Sequence, residues 1–418
     1  MERELDVFID WQGGTVPVGR LWARAKGARQ TASFEYAGDW LARPGAFSLD
    51  PELPLTRAPF HKAGGLFNAF TDPAPDRWGR NLLSRRELRQ ARAGNRPPRT
   101  LMDVDFLTLV EDETRLGALR FAEPAADEDR VFLASSDRPI PPLVQLARLL
   151  AAANRVITDT DSDDDLRLLL APGASLGGAR PKASVRDAAG RMMIAKFPSP
   201  TDDWPIPRWE AATMTLAAMA GIDTPASRLE TVARRPVFIM DRFDRGADGG
   251  RLPFRSALTA LGAADGDVRS YMELADPLRQ DGARAAEDAV QIWRRMVFNV
   301  LVSNTDDHLR NHGYLREPGG WRLAPAYDLN PMPIDVKPRH HALTLDETDD
   351  EASLDTCLRV AGAFGLRLPQ ARAIAGAVGE AVNHWRDVAA ARGLTGAQIE
   401  RMASAFDHAD LADALALR

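Results

Sequence analysis

The segment Asn304-Thr305-Asp306-Asp307-His308-Leu309-Arg310-Asn311 carries most of the information about the fold. It follows a run that begins near Ala285 and has apolar residues at helical spacing, which predicts a buried helix. Asn311 follows Asp306 by five residues, and Asp328 follows Asn311 by seventeen. A carboxylate, an amide and a second carboxylate in this order offer the hard oxygen atoms that Mg²⁺ prefers.

The chemistry of phosphoryl transfer explains these residue types. In protein kinases an Asp orients the attacking hydroxyl, and an Asn five residues later and a distal Asp hold Mg²⁺ against the phosphates. With 27% charged residues, such a step also arises by chance, so a polar turn after a helix is the competing explanation. Asp307 is a rival for the base, although the five-residue step favours Asp306.

Three upstream segments follow the sequential order of a protein kinase. Ser175-Leu-Gly177-Gly178-Ala179-Arg180-Pro-Lys182 is a loop of small residues, whose backbone can approach phosphates closely. Lys196 lies in an apolar strand, and Glu210 stands near the start of the next helix. Each has a plain alternative: a turn, an edge-strand lysine and a glutamate favoured by the helix dipole. Their shared order favours a kinase-like fold.

Length and composition bound the class of protein. The 418 residues predict two or three folding units at about 150 residues each. The single cysteine, Cys357, excludes an intrachain disulfide and a cysteine-based zinc site, and favours a reducing compartment. A net charge of −6 argues against a global electrostatic grip on nucleic acid. Without an apolar signal core or membrane span, we expect a cytoplasmic protein that contacts no membrane.

Apolar patterning predicts three parts. Residues 1–125 form a β-rich module, 140–245 a kinase-like N-lobe with the phosphate-binding loop, and 246–418 a helical C-lobe with the catalytic loop. The individual elements predicted here are strands at 5–9, 16–22, 31–36, 191–197 and 235–243, a hairpin at 107–121, and helices at 76–90, 143–154, 209–219, 368–392 and 395–417.

Several polar groups are expected to have structural roles only. The acidic stretch 158–165 lacks the Gly and Glu of an EF-hand loop, so we expect a solvated loop. His308 and His312 are four residues apart, but neither HExxH nor a cysteine accompanies them, so zinc is not expected. Cys357 is expected to be a buried, inert thiol.

The chain resembles the HipA family of serine/threonine kinases, which are toxins of bacterial type II toxin–antitoxin pairs. The segments that carry the resemblance are Ser175–Ala183, Asp241–Arg245, Asn304–His308 with Asn311, Leu323–Asp328, Pro75–Arg80 and Gly117–Phe121. The resemblance spans nearly the whole chain. It implies an α+β class, namely a two-lobed protein-kinase-like fold with a β-rich N-terminal subdomain and an all-helical C-terminal lobe.

The resemblance also implies site residues. It assigns catalysis to Asp306, Asn311 and His308, Mg²⁺ binding to Asn311 and Asp328, ATP binding to Gly177, Gly178, Ala179, Arg180, Lys182 and Lys196, the adenine hinge to Asp241, Arg242 and Phe243, and autophosphorylation to Ser175. A phosphate on Ser175 would add about −1.5 to −2 charge beside the site for ATP phosphates, which explains self-inactivation.

Cofactors and partners follow from the same resemblance. It implies ATP and Mg²⁺, a tRNA synthetase as protein substrate, and a small helix-turn-helix antitoxin of the HipB kind, through which the chain would meet DNA indirectly. Two alternatives stay open at this point. One is a small-molecule phosphotransferase of the same fold, and the other is a nucleotide-binding corepressor that acts only by holding a DNA-binding partner.

Overall fold

The computed structural model describes residues 2–27, 29–125, 130–135, 140–170 and 178–417. The chain forms two compact units. Unit 1 comprises Met1–Pro200 with Asp244–Arg255, and unit 2 comprises Thr201–Phe243 with Ser256–Arg418. The three-part division expected from sequence cuts the chain at other positions and stays a prediction.

Unit 1 contains most of the strands. Its elements in chain order are β1 (Glu2–Trp11), β2 (Gly14–Lys26), β3 (Arg29–Tyr36), α1 (Gly38–Leu41), β4 (Phe60–Ala63), α2 (Asn68–Thr71), α3 (Arg77–Ala93), α4 (Asp103–Leu109), β5 (Leu119–Ala122), α5 (Leu146–Ile157), α6 (Asp163–Leu170), β6 (Lys182–Arg186) and β7 (Met192–Lys196).

A five-stranded sheet in the order β4-β3-β2-β1-β5 forms the first part of unit 1. The described pairs of neighbouring strands are antiparallel. In β3 buried and more exposed residues alternate, which is the pattern of a strand with one face on the core. The three strands predicted within residues 5–36 are confirmed.

Helix α3 is confirmed close to its predicted bounds. The Asp76 carboxylate accepts a hydrogen bond from the Gly79 N–H at 2.8 Å, which caps the helix, and Trp78, Leu82 and Leu83 are buried. The predicted hairpin at 107–121 is wrong in its first half. Residues 103–109 form α4 instead, because Asp105 accepts from the backbone N–H of Met102 and fixes the first turn.

The backbone conformation and the surroundings of Gly117 explain why a glycine stands at this position. Its φ is +74°, a conformation that suits glycine, and a Cβ there would lie 3.2 Å from the Cβ of Phe254. Its N–H donates to the buried Asp244 carboxylate at 2.8 Å, and Arg245 pairs with the same carboxylate at 2.7 Å. Two of the segments that carry the family resemblance are therefore fastened to each other within unit 1.

The acidic stretch 158–165 is not the solvated loop expected from sequence. Helix α6 begins inside it at Asp163, and Asp161 and Asp165 are buried. Asp161 pairs with Arg85 at 2.9 Å and Arg89 at 2.8 Å. Arg85 and Arg89 of α3 compensate the buried charge of Asp161, and Arg155 of α5 compensates that of Asp165. Sequence spacing between distant segments does not reveal such pairings.

Unit 2 contains most of the helices. Its elements are α7 (Ile206–Met219), β8 (Ser227–Val232), β9 (Arg235–Asp241), α8 (Ala257–Ala260), α9 (Asp276–Asp281), α10 (Ala285–Leu301), β11 (Gly313–Glu317), β12 (Gly320–Leu323), α11 (Leu354–Arg359), α12 (Leu368–Asn383), α13 (Trp385–Ala391), α14 (Gly396–Arg401) and α15 (Ala409–Leu415), and the short β10 (Phe254–Ser256) lies where the two units meet along the chain.

Helix α10 lies in the core of unit 2, where Ile292, Trp293 and Met296 are fully buried, as its apolar periodicity predicts. The C-terminal region is helical as predicted, and it also contains the antiparallel hairpin β11–β12. The bounds 246–418 stay a prediction. The two long helices predicted near the end are interrupted. His384 separates α12 from α13, and residues 402–408 separate α14 from α15.

Two further observations concern the single cysteine and the length and apolarity of the helices. Cys357 is fully buried, as expected, and burial raises the pKa of its thiol. No helix within the described residues combines the length and the apolarity that crossing a lipid bilayer requires.

Candidate active site

The segment 304–311 leaves the end of α10 through a tight turn. Ser303 has a φ of +51°, the left-handed conformation that commonly ends a helix, and the Asn304 N–H donates to the Asn299 carbonyl at 2.9 Å. A short 3₁₀ turn at Leu309–Asn311 then leads into β11. The loop is therefore held between a core helix and a strand.

The two adjacent aspartates of the loop have opposite environments. Asp306 is exposed, whereas Asp307 is 1% exposed. The Oδ2 atom of Asp307 accepts hydrogen bonds from Tyr271 Oη at 2.5 Å and from Asn299 Nδ2 at 2.8 Å, and it lies 2.7 Å from His312 Nε2. Asp307 is fully engaged in this buried network, which leaves Asp306 as the carboxylate that an incoming molecule can reach.

The network sets the ionisation of its members. Burial by itself raises the pKa of Asp307, but the charge of His312 and the hydrogen bonds from His312 and Tyr271 outweigh it and hold that pKa below the ordinary carboxyl value. Burial, and then the neighbouring Asp307 charge, raise the pKa of Tyr271 well above its ordinary value. At neutral pH Asp307 is therefore an anion surrounded by hydrogen-bond donors.

Asn311 is held to the same loop. Its Nδ2 donates to the Asp306 carbonyl at 3.2 Å, so its carbonyl oxygen is on the other side of the amide. The half-buried His308 has a buried Nδ1 without a hydrogen-bond partner, and it provides the residue before the 3₁₀ turn. The Nε2 atom of His312 lies 2.7 Å from Asp307 and belongs to the buried network.

Asp328 lies in a segment that runs beside this loop. The Ala324 N–H donates to Gly313 at 2.8 Å, and the Met332 N–H donates to Ser303 at 3.1 Å, so both ends of the segment are fastened to the loop and the strand after it. Asp328 itself has a φ of +60°, a strained conformation for a residue other than glycine. Such strain concentrates at functional sites.

Tyr327 connects three of the predicted site segments. Its hydroxyl donates to the Arg310 carbonyl at 2.8 Å, which brings the residue before Asp328 against the residue before Asn311. Its ring stacks on Phe243 with centroids 5.1 Å apart and planes 22° apart. Unit 2 therefore brings the segment that contains Asp328 against the loop that contains Asn311 and against the Phe243 end of the predicted hinge.

The rest of the predicted hinge lies at the end of β9. The Asp241 N–H donates to the Ala226 carbonyl at 2.9 Å, and the side chain of Arg242 is buried. Glu210, the expected partner of the strand lysine, is buried in α7.

The predicted phosphate-binding residues belong to unit 1. Ser175 and Gly177 lie outside the described residues. Gly178 and Ala179 are exposed, and Arg180 is half-buried. Lys196 ends β7, where every residue is buried, and it lies directly opposite Lys182 of β6. The Lys182 ammonium is 2.6 Å from an Asp76 carboxylate oxygen.

Four partners in these contacts were not singled out from the sequence: Asp76, Tyr271, Asn299 and Tyr327. Asn299 carried a local indication as a polar residue inside the apolar run of α10, and Asp76 and Tyr327 lie inside the segments Pro75–Arg80 and Leu323–Asp328 that carry the family resemblance. The partners of all four residues in space are set by the fold.

Comparison with known proteins agrees with these features. The family model of the HipA N-terminal domain matches residues 7–103, and that of the HipA-like C-terminal domain matches residues 174–385. Y4mE of Sinorhizobium fredii, provisionally named a kinase, is 32% identical over 147 residues, which are 32% of this chain and 33% of Y4mE. A protein of Haemophilus influenzae with the same provisional name is 27% identical over 146 residues, 31% of this chain and 43% of that protein. The match thus spans less than half of either relative.

A solved structure matches over almost the full length. HipA of Shewanella oneidensis, determined in a complex with HipB and operator DNA, superimposes with a TM-score of 0.67 and 16% identity over 99% of this chain and 96% of that one. The similarity confirms the predicted fold class. Because the C-terminal family model alone covers more than half of the residues, the chain belongs to the HipA family.

Proposed function

We propose that this protein is an ATP-dependent protein kinase that phosphorylates serine or threonine and acts as the toxin of a toxin–antitoxin pair. The observation that carries the proposal is the different burial of the two adjacent aspartates of the loop, Asp306 and Asp307. Asp307 is buried in a hydrogen-bond network with Tyr271, Asn299 and His312, and Asp306 beside it is exposed. A catalytic base needs this combination of a rigid backbone and an accessible carboxylate.

In the proposed reaction the hydroxyl oxygen of the substrate attacks the γ-phosphorus of ATP. The bond from that phosphorus to the bridging oxygen breaks, ADP leaves with its electron pair, and the hydroxyl proton passes to Asp306. Positioning contributes most of the rate, because phosphoryl transfer requires little covalent chemistry from the protein. The Asn311 bond to the Asp306 backbone helps to hold the carboxylate in place.

The residues present fit a magnesium ion. Asn311 offers an amide oxygen and Asp328 a carboxylate, both hard ligands, and Mg²⁺ usually takes only one or two protein carboxylates besides water and substrate phosphates. Within the described residues there is no cluster of three or more His, Cys, Asp or Glu residues arranged for a metal, and the proposed site does not need one. When bound, Mg²⁺ would neutralise charge on the phosphate oxygens.

We assign nucleotide binding to three further segments. Lys196 would hold the ATP phosphates, the loop from Gly177 to Arg180 would surround them, and Asp241–Phe243 would hold adenine through backbone groups. Ser175 would be the site of autophosphorylation. Intact-mass spectrometry after incubation with ATP should show one added phosphate that is absent in Ser175→Ala, and an unchanged wild-type mass would refute self-inactivation.

The proposed partner is a small helix-turn-helix antitoxin, through which the protein would reach operator DNA. Its support is that the structurally similar HipA was solved with HipB and operator DNA. We propose a translation component such as a tRNA synthetase as substrate, because the family resemblance implies it.

The decisive experiment adds radiolabelled ATP and the protein to a cell lysate and identifies the labelled bands. Asp306→Asn should reduce transfer by about 10²–10⁴-fold, the usual contribution of a general base, with unchanged thermal unfolding. Asp355→Asn, at a side chain 90% exposed in α11, is the matched control and should transfer phosphate normally. Near wild-type transfer by Asp306→Asn would refute the assignment, and turnover with sugars or aminoglycosides alone would indicate a small-molecule kinase.

A further inference from the structure

Two buried lysines face each other at the open end of the hairpin β6–β7. Lys182 is paired directly with Lys196 in the antiparallel register, and both residues are buried. Side chains at opposite positions of such a pair lie on the same face, and like charges there destabilise the hairpin. Burying two ammonium groups side by side is therefore unfavourable without a nearby carboxylate.

Asp76 provides that carboxylate for Lys182. Its Oδ2 lies 2.6 Å from Lys182 Nζ, and the two side chains are 4% and 3% exposed. Its Oδ1 accepts the Gly79 N–H at 2.8 Å as the cap of α3. The carboxylate is thus fixed by the helix on one side and holds the lysine on the other.

Two more hydrogen bonds fasten the same strand end. Trp78 Nε1 donates to the Lys182 carbonyl at 3.1 Å, and Lys182 Nζ donates to the Gly178 carbonyl at 3.2 Å. Both the side chain and the backbone of Lys182 are therefore attached to the first turn of α3. The bond to Gly178 closes the described end of the predicted phosphate-binding loop, residues 178–182.

We propose that Asp76 and Lys182 form a buried clasp through which the first turn of α3 positions the end of the phosphate-binding loop. Lys182 is then a positioning residue, and Lys196 is the lysine of the pair that serves the nucleotide. This replaces the direct phosphate contact that the family resemblance implies for Lys182. The positioning role rests on the proposed kinase function.

The clasp predicts an unusual pattern among charge-removing variants. Asp76→Asn keeps the helix cap, since Asn caps as well as Asp, but it removes the carboxylate charge that lies 2.6 Å from the buried Lys182 ammonium. Lys182→Met leaves the Asp76 carboxylate uncompensated. The double variant removes both charges of the pair. If Lys182 bound phosphate directly, Asp76→Asn would instead release it and maintain or increase ATP affinity.

The test measures equilibrium binding of a fluorescent ATP analogue to the full chain, together with KM for ATP and kcat. Both single variants should bind about tenfold more weakly, a usual size for coupling between buried charged partners. The effect should fall on KM rather than kcat. The double variant should bind no more weakly than Asp76→Asn. Arg24→Gln, which removes an exposed ion pair with Glu2, is the control and should bind as the wild type does.

Two outcomes would overturn the proposal. One is unchanged or tighter binding by Asp76→Asn together with loss of binding by Lys182→Met, which would make Lys182 a phosphate ligand. The other is a double variant whose loss is the product of the two single losses. Thermal unfolding of every variant, followed by circular dichroism, separates these results from general misfolding.

Hydrogen–deuterium exchange without nucleotide distinguishes failure of the clasp from failure of the proposed function. Amides of residues 178–186 should exchange faster in both single variants than in the wild type, and unchanged exchange would refute the clasp. A wild-type chain that binds no ATP analogue would refute the kinase assignment and with it the positioning role, whereas the exchange result would still decide on the clasp itself.

Discussion

Replacing Asp307 by Asn tests whether the buried network, and not only the exposed Asp306, determines how the catalytic loop is held. The substitution preserves the size of the side chain and one acceptor oxygen, but it removes the negative charge. Three donor groups converge on Oδ2 of Asp307, from Tyr271, Asn299 and His312, at 2.5–2.8 Å. All three lose their anionic partner in Asp307→Asn.

The magnitude follows from the number of these contacts. A hydrogen bond to a charged group contributes about 1.5–3 kcal/mol, against about 0.5–1.5 kcal/mol for a neutral one. Across the network, Asp307→Asn should therefore lower the free energy of unfolding by about 3 kcal/mol. For a unit of about 200 residues, this corresponds to a fall in Tm of about 6–12 °C.

Calorimetry at neutral pH measures the stability loss, and phosphoryl transfer is measured well below the lowered Tm. Transfer by Asp307→Asn should fall by about tenfold or less, because Asp307 does not take the proton, whereas Asp306→Asn loses about 10²–10⁴-fold. The reasoning is refuted if Asp307→Asn unfolds like the wild type, or if it loses as much transfer as Asp306→Asn while remaining folded.

The pH dependence gives a second check. The pKa of Asp307 is held below its ordinary value in the folded protein, so the folded state binds this proton less readily than the unfolded state does. The resulting stability is fully present above the ordinary carboxyl pKa of about 3.9 and is lost as the pH falls below it. The difference in stability between wild type and Asp307→Asn should accordingly shrink in acid.

Two further predictions concern stability. Burial lowers the pKa of His341 to about 4, so the free energy of unfolding should fall as the pH drops from the ordinary histidine pKa of about 6.5 towards 4. His341→Gln should therefore reduce the shift in the urea midpoint between pH 7.5 and pH 5. An unchanged shift would contradict the assignment. Asp161→Asn removes the charge of the buried partner of Arg85 and Arg89 and should lower the urea-derived free energy of unfolding by about 1–3 kcal/mol. The control Asp164→Asn, at a side chain 88% exposed, should change this free energy by less than about 0.5 kcal/mol. Equal effects of the two substitutions would refute this role of Asp161.

The catalytic loop was predictable because its information is local. The five-residue spacing from Asp306 to Asn311 directly follows the apolar face of α10, so one short stretch of sequence contains both features. The same holds for β1 to β3, whose short apolar runs and neighbouring turn residues predict strands without knowledge of the partner strands.

Contacts between distant segments were not predictable in this way. Asp76 and Lys182 are 106 residues apart, and neither has a local feature that identifies the other as its partner. The residues of α4 show the complementary failure. An apolar run of four to eight residues fits either a strand or a helix, and the Asp105 side chain at its start decided for the helix.

The loop and the hairpin share one physical arrangement. Each contains two like-charged residues side by side, the aspartates Asp306 and Asp307 and the lysines Lys182 and Lys196. One member of each pair, Asp307 or Lys182, is buried, and a buried charge requires nearby groups that compensate it. Tyr271, Asn299 and His312 do this for Asp307, and Asp76 does it for Lys182.

This arrangement assigns different roles to the two members of each pair. Asp307 and Lys182 cannot exchange their partners for a ligand without losing groups that stabilise their buried charges, so they hold the backbone in place. The proposed reaction uses the charges of Asp306 and Lys196. Charge-removing variants should therefore separate into two groups: those at Asp307 and Lys182 alter stability and position, and those at Asp306 and Lys196 alter transfer itself.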